Sequence, residues 1–164
     1  MMDKNTFFEI IEAVLMHTPF ENIVEYDKFL IQQLKQKRVE EIAQFHLCFL
    51  KLRSKLDTFE NHKIAMKLRY DTSREVFNRF CNAIIASGKD FYNLSKEGKG
   101  FLEAKLQNNP EEIKQLYYEG LSLVSSAAYY DKRVLDADWD LLLRNEKRRL
   151  ELEQQIHNKD ELER

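Results

Sequence analysis

Apolar residues recur at alternating threes and fours along most of this chain, the spacing that turns one stripe of an α-helix toward a core. Phe7, Ile10, Ile11, Val14 and Leu15 form the first stripe, with Asp3 or Asn5 to cap it and Thr18-Pro19 to end it. Asn22 stands three residues before Glu25 and opens a second helix with Ile23, Tyr26, Leu30 and Leu34 inward. A third, longer helix is expected to carry Val39, Ile42, Phe45, Phe49, Leu52, Leu56 and Phe59, followed by a short helix or bend holding Ile64, Ala65 and Leu68. Thr72 with Glu75 makes a second capping box, directly before Val76, Phe77, Phe80, Cys81, Ile84 and Ile85. Gly88 is expected to close that helix as a left-handed cap.

Shorter pieces follow. Phe91 to Leu94 makes one of them, and Gly98-Lys99-Gly100 predicts a hinge before Phe101, Leu102 and Leu106. Asn109 and Pro110 then start a helix with Ile113, Leu116, Tyr117, Leu121, Val124 and Ala128 inward, in which Gly120 lets a neighbour approach. The last helix begins with Leu135, Trp139, Leu142 and Leu143 and grows progressively polar, with Leu150, Leu152 and Ile156 as its later apolar bulk.

The punctuation agrees with the stripes. The chain has four glycines and two prolines, none between Pro19 and Gly88, and sheets joined by tight turns need more. The expected fold is all-α, a single compact multi-helix bundle with a long C-terminal helix. Residues 1–133 form the bundle and residues 134–164 the C-terminal helix and a frayed tail, part of the same domain and partly projecting.

Composition narrows the function classes. Eleven Phe and seven Tyr supply bulk for a core, and charged residues at 33% belong on the outward helix faces. A net charge of −2 offers no field to recruit a polyanion, so nucleic-acid binding is not expected. No apolar run approaches the ~20 residues of a bilayer span, so no membrane partner is expected either. Cys48 and Cys81 lie in apolar helical surroundings and read as buried free thiols in a reducing compartment. The expected location is cytoplasmic.

Catalytic patterns are missing. His46 and Cys48 are close in sequence, but residues two apart on a helix point about 200° from each other, so no metal site is assigned. Asp136-Ala137-Asp138-Trp139-Asp140 lacks the glycine and the terminal glutamate of a calcium loop. No serine sits in a nucleophile elbow, and Gly98-Lys99-Gly100 lacks the other parts of a phosphate cradle. No catalytic, metal or cofactor residue is therefore assigned. Arg144, Lys147, Arg148 and Arg149 form the one basic cluster, flanked by Glu146, Glu151 and Glu153.

The run from Thr72 through Phe77, Phe80 and Gly88-Lys89 to Tyr92 resembles the central motif of a bacterial family known as domain of unknown function 4240. That motif is a small-acidic cap, Phe, two residues, Phe, then an apolar helix ending in Gly and a basic residue. Asn5-x-Phe7-Phe8, Glu41-Ile42-x-x-Phe45 and the Leu116 to Tyr130 segment are similar to the family's layout, so the likeness spans about Asn5 to Asp131. The resemblance implies a stand-alone or fused helical bacterial domain and supplies no catalytic residue.

Two functions follow as expectations. The first is a non-enzymatic protein-interaction domain, an adaptor or an immunity-type inhibitor, whose partner is another protein or a second copy. Its candidate interaction residues are Trp139, Arg144, Lys147 and Arg148. The alternative is a small-molecule-binding or hydrolytic domain with a pocket near Gly98–Gly100, involving Arg74, Arg79, Lys89 and Tyr92.

Overall fold

Helix starts are set by short polar side chains that take up amide groups the helix itself leaves unpaired. Asp3 accepts from the Thr6 amide at 2.8 Å, and Asn22 accepts from that of Glu25 at 3.4 Å. The structure, a computed structural model of the chain, describes residues 1–69, 73–97, 118–132 and 138–162. Among these lie α1 (Lys4–His17), α2 (Ile23–Lys35), α3 (Val39–Ser54), α4 (Phe59–Arg69), α5 (Arg74–Ala86) and α6 (Lys89–Lys96). A 3-10 turn (Gly120–Ser122), α7 (Val124–Asp131) and α8 (Trp139–Leu162) complete them, and no described residue is in a strand. The all-α expectation holds.

Four helices close a ring: α1 packs on α2, α2 on α7, α7 on α3, and α3 back on α1. Phe7 and Phe45 stack within it at 4.5 Å between ring centres, while Phe8 meets Phe7 edge-on at 5.3 Å. Helix α5 lies against α3 and carries α4 and α6. Its residues Cys81 to Ala86 are all buried, so its last turns are covered on every side. The buried carbonyl of Ala86, which has no partner in its own helix, accepts the Tyr26 hydroxyl at 3.0 Å.

Three joints differ from the sequence reading. The long third helix stops at Ser54, and α4 begins afresh at Phe59, leaving Phe59 75% exposed instead of on an inward stripe. Neither glycine nor proline makes that break. Leu56 is buried in the turn, the Thr58 hydroxyl accepts from the Asn61 amide at 3.2 Å, and the Asn61 side chain donates to the Leu56 carbonyl at 2.9 Å.

The second joint is the start of α5. Its cap is Ser73, whose hydroxyl accepts from the Val76 amide at 3.3 Å. Thr72 lies outside the described residues. At the other end, Gly88 has φ 108 and ψ 173, a glycine region other than the left-handed helical one, so it swings the chain into α6 and does not cap α5 in the expected way. A Cβ there would also sit 2.8 Å from Glu12 Oε1, the atom that accepts from the Lys89 amide at 2.9 Å.

The third joint is at Tyr118. The expected continuous helix through Leu121 to Ala128 is interrupted, because residues 118 and 119 are not helical and residues 120–122 form the 3-10 turn. The Tyr118 amide donates to the Arg79 carbonyl at 3.3 Å, and the Tyr118 hydroxyl donates to Asp27. Gly120 does let a neighbour approach: a Cβ there would collide with the Asp27 carboxylate. The segment containing Gly98–Gly100 and Asn109-Pro110, and the Leu135 start of the last helix, fall outside the described residues.

Candidate functional site

Helix α8 is about 36 Å long at 1.5 Å per residue and docks on α3 by its first half. Trp139, Leu142 and Leu143 share one face and pack against the core, Trp139 being nearly buried. The Trp139 ring meets His46 of α3 nearly edge-on at 5.6 Å and Tyr129 of α7 at 5.1 Å. His46 Nδ1 is buried without a hydrogen-bond partner, and burial pulls the imidazole down to a pKa of about 4. At neutral pH this ring is uncharged, because burial and the nearby Arg53 charge both disfavour a second positive charge.

One turn further along the same face stands Glu146, only 4% exposed. Its Oε1 accepts from Gln44 Nε2 at 2.8 Å, and Arg149 Nε donates to its Oε2 at 3.1 Å. The Arg149 guanidinium, then the Gln44 amide, hold this carboxyl below the usual carboxylate range against the opposing effect of burial. This latch ties α8 to α3. The sequence carried a signal for it: Glu146 falls seven residues after Trp139 and three after Leu143, an acid on an apolar stripe.

Beside the latch, α3 and α8 diverge into a groove of about 650 Å³. Leu47 and Leu50 from α3 and Leu143 and Leu150 from α8 give it an apolar floor. Lys51, Arg144 and Lys147 stand on its rim, with Glu151 and Glu153 toward the far end of α8. Residues 151–159 are exposed throughout, including Leu152 and Ile156, which lie four apart and share a face. Of the four candidate interaction residues, Arg144 and Lys147 thus line the groove and Arg148 is exposed nearby. Trp139 is the anchor behind it.

The candidate pocket residues are dispersed. Arg74, at the start of α5, donates to Asp57 Oδ2 at 2.6 Å and lines a separate cavity of about 220 Å³. Arg79 pairs with Glu75 at 2.7 Å and Glu119 at 3.3 Å. On α6 the Lys89 amide rests on Glu12, and Tyr92 is wholly buried, donating its hydroxyl to the Leu52 carbonyl at 3.3 Å. Of the four, Arg74 alone lines the 220 Å³ cavity.

One half-buried group escaped the sequence reading, while the two cysteines agree with it. Asp27 is half-buried beside Gly120 with the Tyr118 hydroxyl as its donor, and burial pushes its carboxyl above the usual range. Cys48 and Cys81 are free buried thiols, raised by burial to pKa values of about 11 and about 12, which keeps both protonated and unreactive. Among the described residues no group of three or more His, Cys, Asp or Glu could hold a metal, and no helix is long and apolar enough to cross a membrane.

The family described as "Protein of unknown function (DUF4240)" matches residues 2–131. The chain belongs to this family. No curated protein and no solved structure matches it. The match covers the ring of α1, α2, α3 and α7 together with α5, and it ends before α8, so the groove is built from one family helix and one helix beyond the matched span.

Proposed function

We propose that this protein is a non-enzymatic bacterial interaction domain, an adaptor or an immunity-type inhibitor, that holds an acidic amphipathic helix of a protein partner in the α3–α8 groove. The observation that carries this reading is the groove itself, an apolar floor of four leucines with Lys51, Arg144 and Lys147 beside it and Glu151 and Glu153 only toward the far end of α8. An amphipathic helix fits such a trough by apolar residues at three-to-four spacing, and acids flanking them meet the basic rim. Protein is the partner class and not nucleic acid or membrane, because the net charge of −2 gives a polyanion no general attraction. Two protonated, buried, unbridged thiols support a cytoplasmic address.

The test is site-specific photo-crosslinking in the source cells. A photoreactive side chain replacing Leu150 should join one protein species through a segment with apolar residues at i and i+4 and neighbouring acids. The same group at exposed Met66 on α4 should not. Arg144→Glu with Lys147→Glu should remove the product. Equal products from positions 150 and 66, indifference to the charge reversal, or a product joining two copies of this chain would each overturn the reading.

A further inference from the structure

The smaller cavity lies where the end of α3 faces the start of α5. Leu50, Arg53 and Ser54 come from one helix and Arg74, Phe77 and Asn78 from the other, each at i, i+3, i+4 spacing, with Asp57 between them. Its volume of about 220 Å³ holds roughly seven waters at ~30 Å³ each, the size of a small oxyanion with a short organic tail.

The charges there do not cancel. Asp57 is fully engaged: Oδ1 meets His62 Nε2 at 2.7 Å, and Oδ2 accepts from Arg74 at 2.6 Å. The His62 ring is in turn fixed by stacking on Phe77 at 3.6 Å between centres. Arg53, by contrast, pairs with no carboxylate among the described residues. Its guanidinium lies over the Phe49 ring at 5.1 Å, and Nη1 makes a long 3.4 Å contact to the Ser122 hydroxyl. That hydroxyl also accepts from Asn82 Nδ2 at 3.0 Å. Burial without a counter-charge pulls Arg53 below the usual guanidinium range. A half-buried guanidinium is costly to hold unpaired, and its planar fork matches a carboxylate or a phosphate.

We propose that this cavity is a binding site for a small oxyanion, a carboxylate or phosphate group, seated between Arg53 and Arg74. Arg53 supplies the uncompensated charge. Arg74, oriented by the Asp57–His62 pair, supplies the second guanidinium, and Asn78 supplies a side-chain amide donor, the Ser54 hydroxyl proton being taken by the Lys51 carbonyl at 2.8 Å. Phe77 and Leu50 give the apolar wall for the rest of the ligand. The site lies apart from the α3–α8 groove except for Leu50, which lines both, and it does not depend on a partner helix.

Titration of the isotope-labelled full chain with inorganic phosphate, and separately with acetate, at constant ionic strength, tests this by nuclear magnetic resonance. Saturable shifts are expected at Ser54, Asn78 and the Arg53 and Arg74 side-chain Nε–H groups. Phosphate alone acting identifies a phosphate ester as the natural class, and acetate acting identifies a carboxylate. Arg53→Gln should weaken binding by about tenfold or more, the loss of a charge-assisted pair. Should that variant fail to fold, Asn78→Asp places a repelling carboxylate at the half-exposed mouth and is expected to abolish the shifts while leaving the melting temperature unchanged. No saturable shift with either anion, shifts spread over Arg144 to Arg149 instead, or binding that survives Asn78→Asp would overturn the proposal.

Discussion

Helices α5 and α8 pack on the same neighbour, α3, and are put to opposite uses. Eight of the thirteen residues of α5 are buried, including a polar one, Asn82, whereas along α8 only Trp139 and Glu146 are buried among its described side chains. Both helices pack on α3, α5 alongside α4 and α6, and α8 by its first half. Free energy of folding is therefore concentrated around α5, and α8 adds a surface more than a core. The difference teaches that a helix outside the family's matched span can be appended to a finished bundle by one aromatic anchor and one polar latch.

The comparison is broken most readily by deletion of aromatic bulk. Phe80→Ala should destabilise the protein by about 3 to 5 kcal/mol in denaturant unfolding, because a wholly buried ring leaves a cavity the surroundings cannot close. Leu152→Ala on α8 should stay within about 0.5 kcal/mol of the unaltered protein. Comparable losses for the two would show that the tail of α8 is core after all.

Acid should act at the α8 seam. An unfolded chain takes up the His46 proton near its usual 6.5, whereas the folded imidazole holds out to about 4. Across that window the unfolded state binds more protons, so stability falls as pH drops, by up to about 3 kcal/mol for this group. Glu146, held below its ordinary value of 4.5, contributes stability above that value that is lost as pH falls through its folded pKa. Melting temperatures from pH 7 to pH 4 should decline accordingly, and His46→Phe should flatten the upper part of the profile. An unchanged slope in that variant would remove His46 from the explanation.

Smaller still is the α5 cap. Ser73→Ala should cost about 1 kcal/mol, more than Thr72→Ala, because the Ser73 hydroxyl accepts from the Val76 amide. The reverse order would restore the start that the sequence pattern suggested.

Much of this was legible in the sequence, for identifiable reasons. The stripes of α1, α2 and α5 could be read directly because each buries a single run of apolar residues at helical spacing, and the family resemblance lay partly in α1 and α5. The break at Lys55 to Thr58 could not, since its stop signal is a buried leucine with Thr58 and Asn61 hydrogen bonds and not a glycine or proline. Tyr118 misled for a related reason: its amide and hydroxyl are claimed by Arg79 and Asp27, partners distant in the chain. Arg144 and Lys147 were found at the groove from charge alone, but the groove's leucines on α3 sat within a helix read only for its inward face. Arg53 gave no sign at all, because a lone arginine on a charged helix looks solvated until its neighbours are placed.

The central claim is that α8 is docked by its first half and presented by its second. Native-state hydrogen exchange along the helix measures this directly. Amides of the turns following Trp139, through the Glu146 latch to Leu150, should be strongly protected, with protection falling steeply from Leu152 onward toward that of a free helix. Uniform protection to Leu162, or none anywhere along α8, would contradict the account.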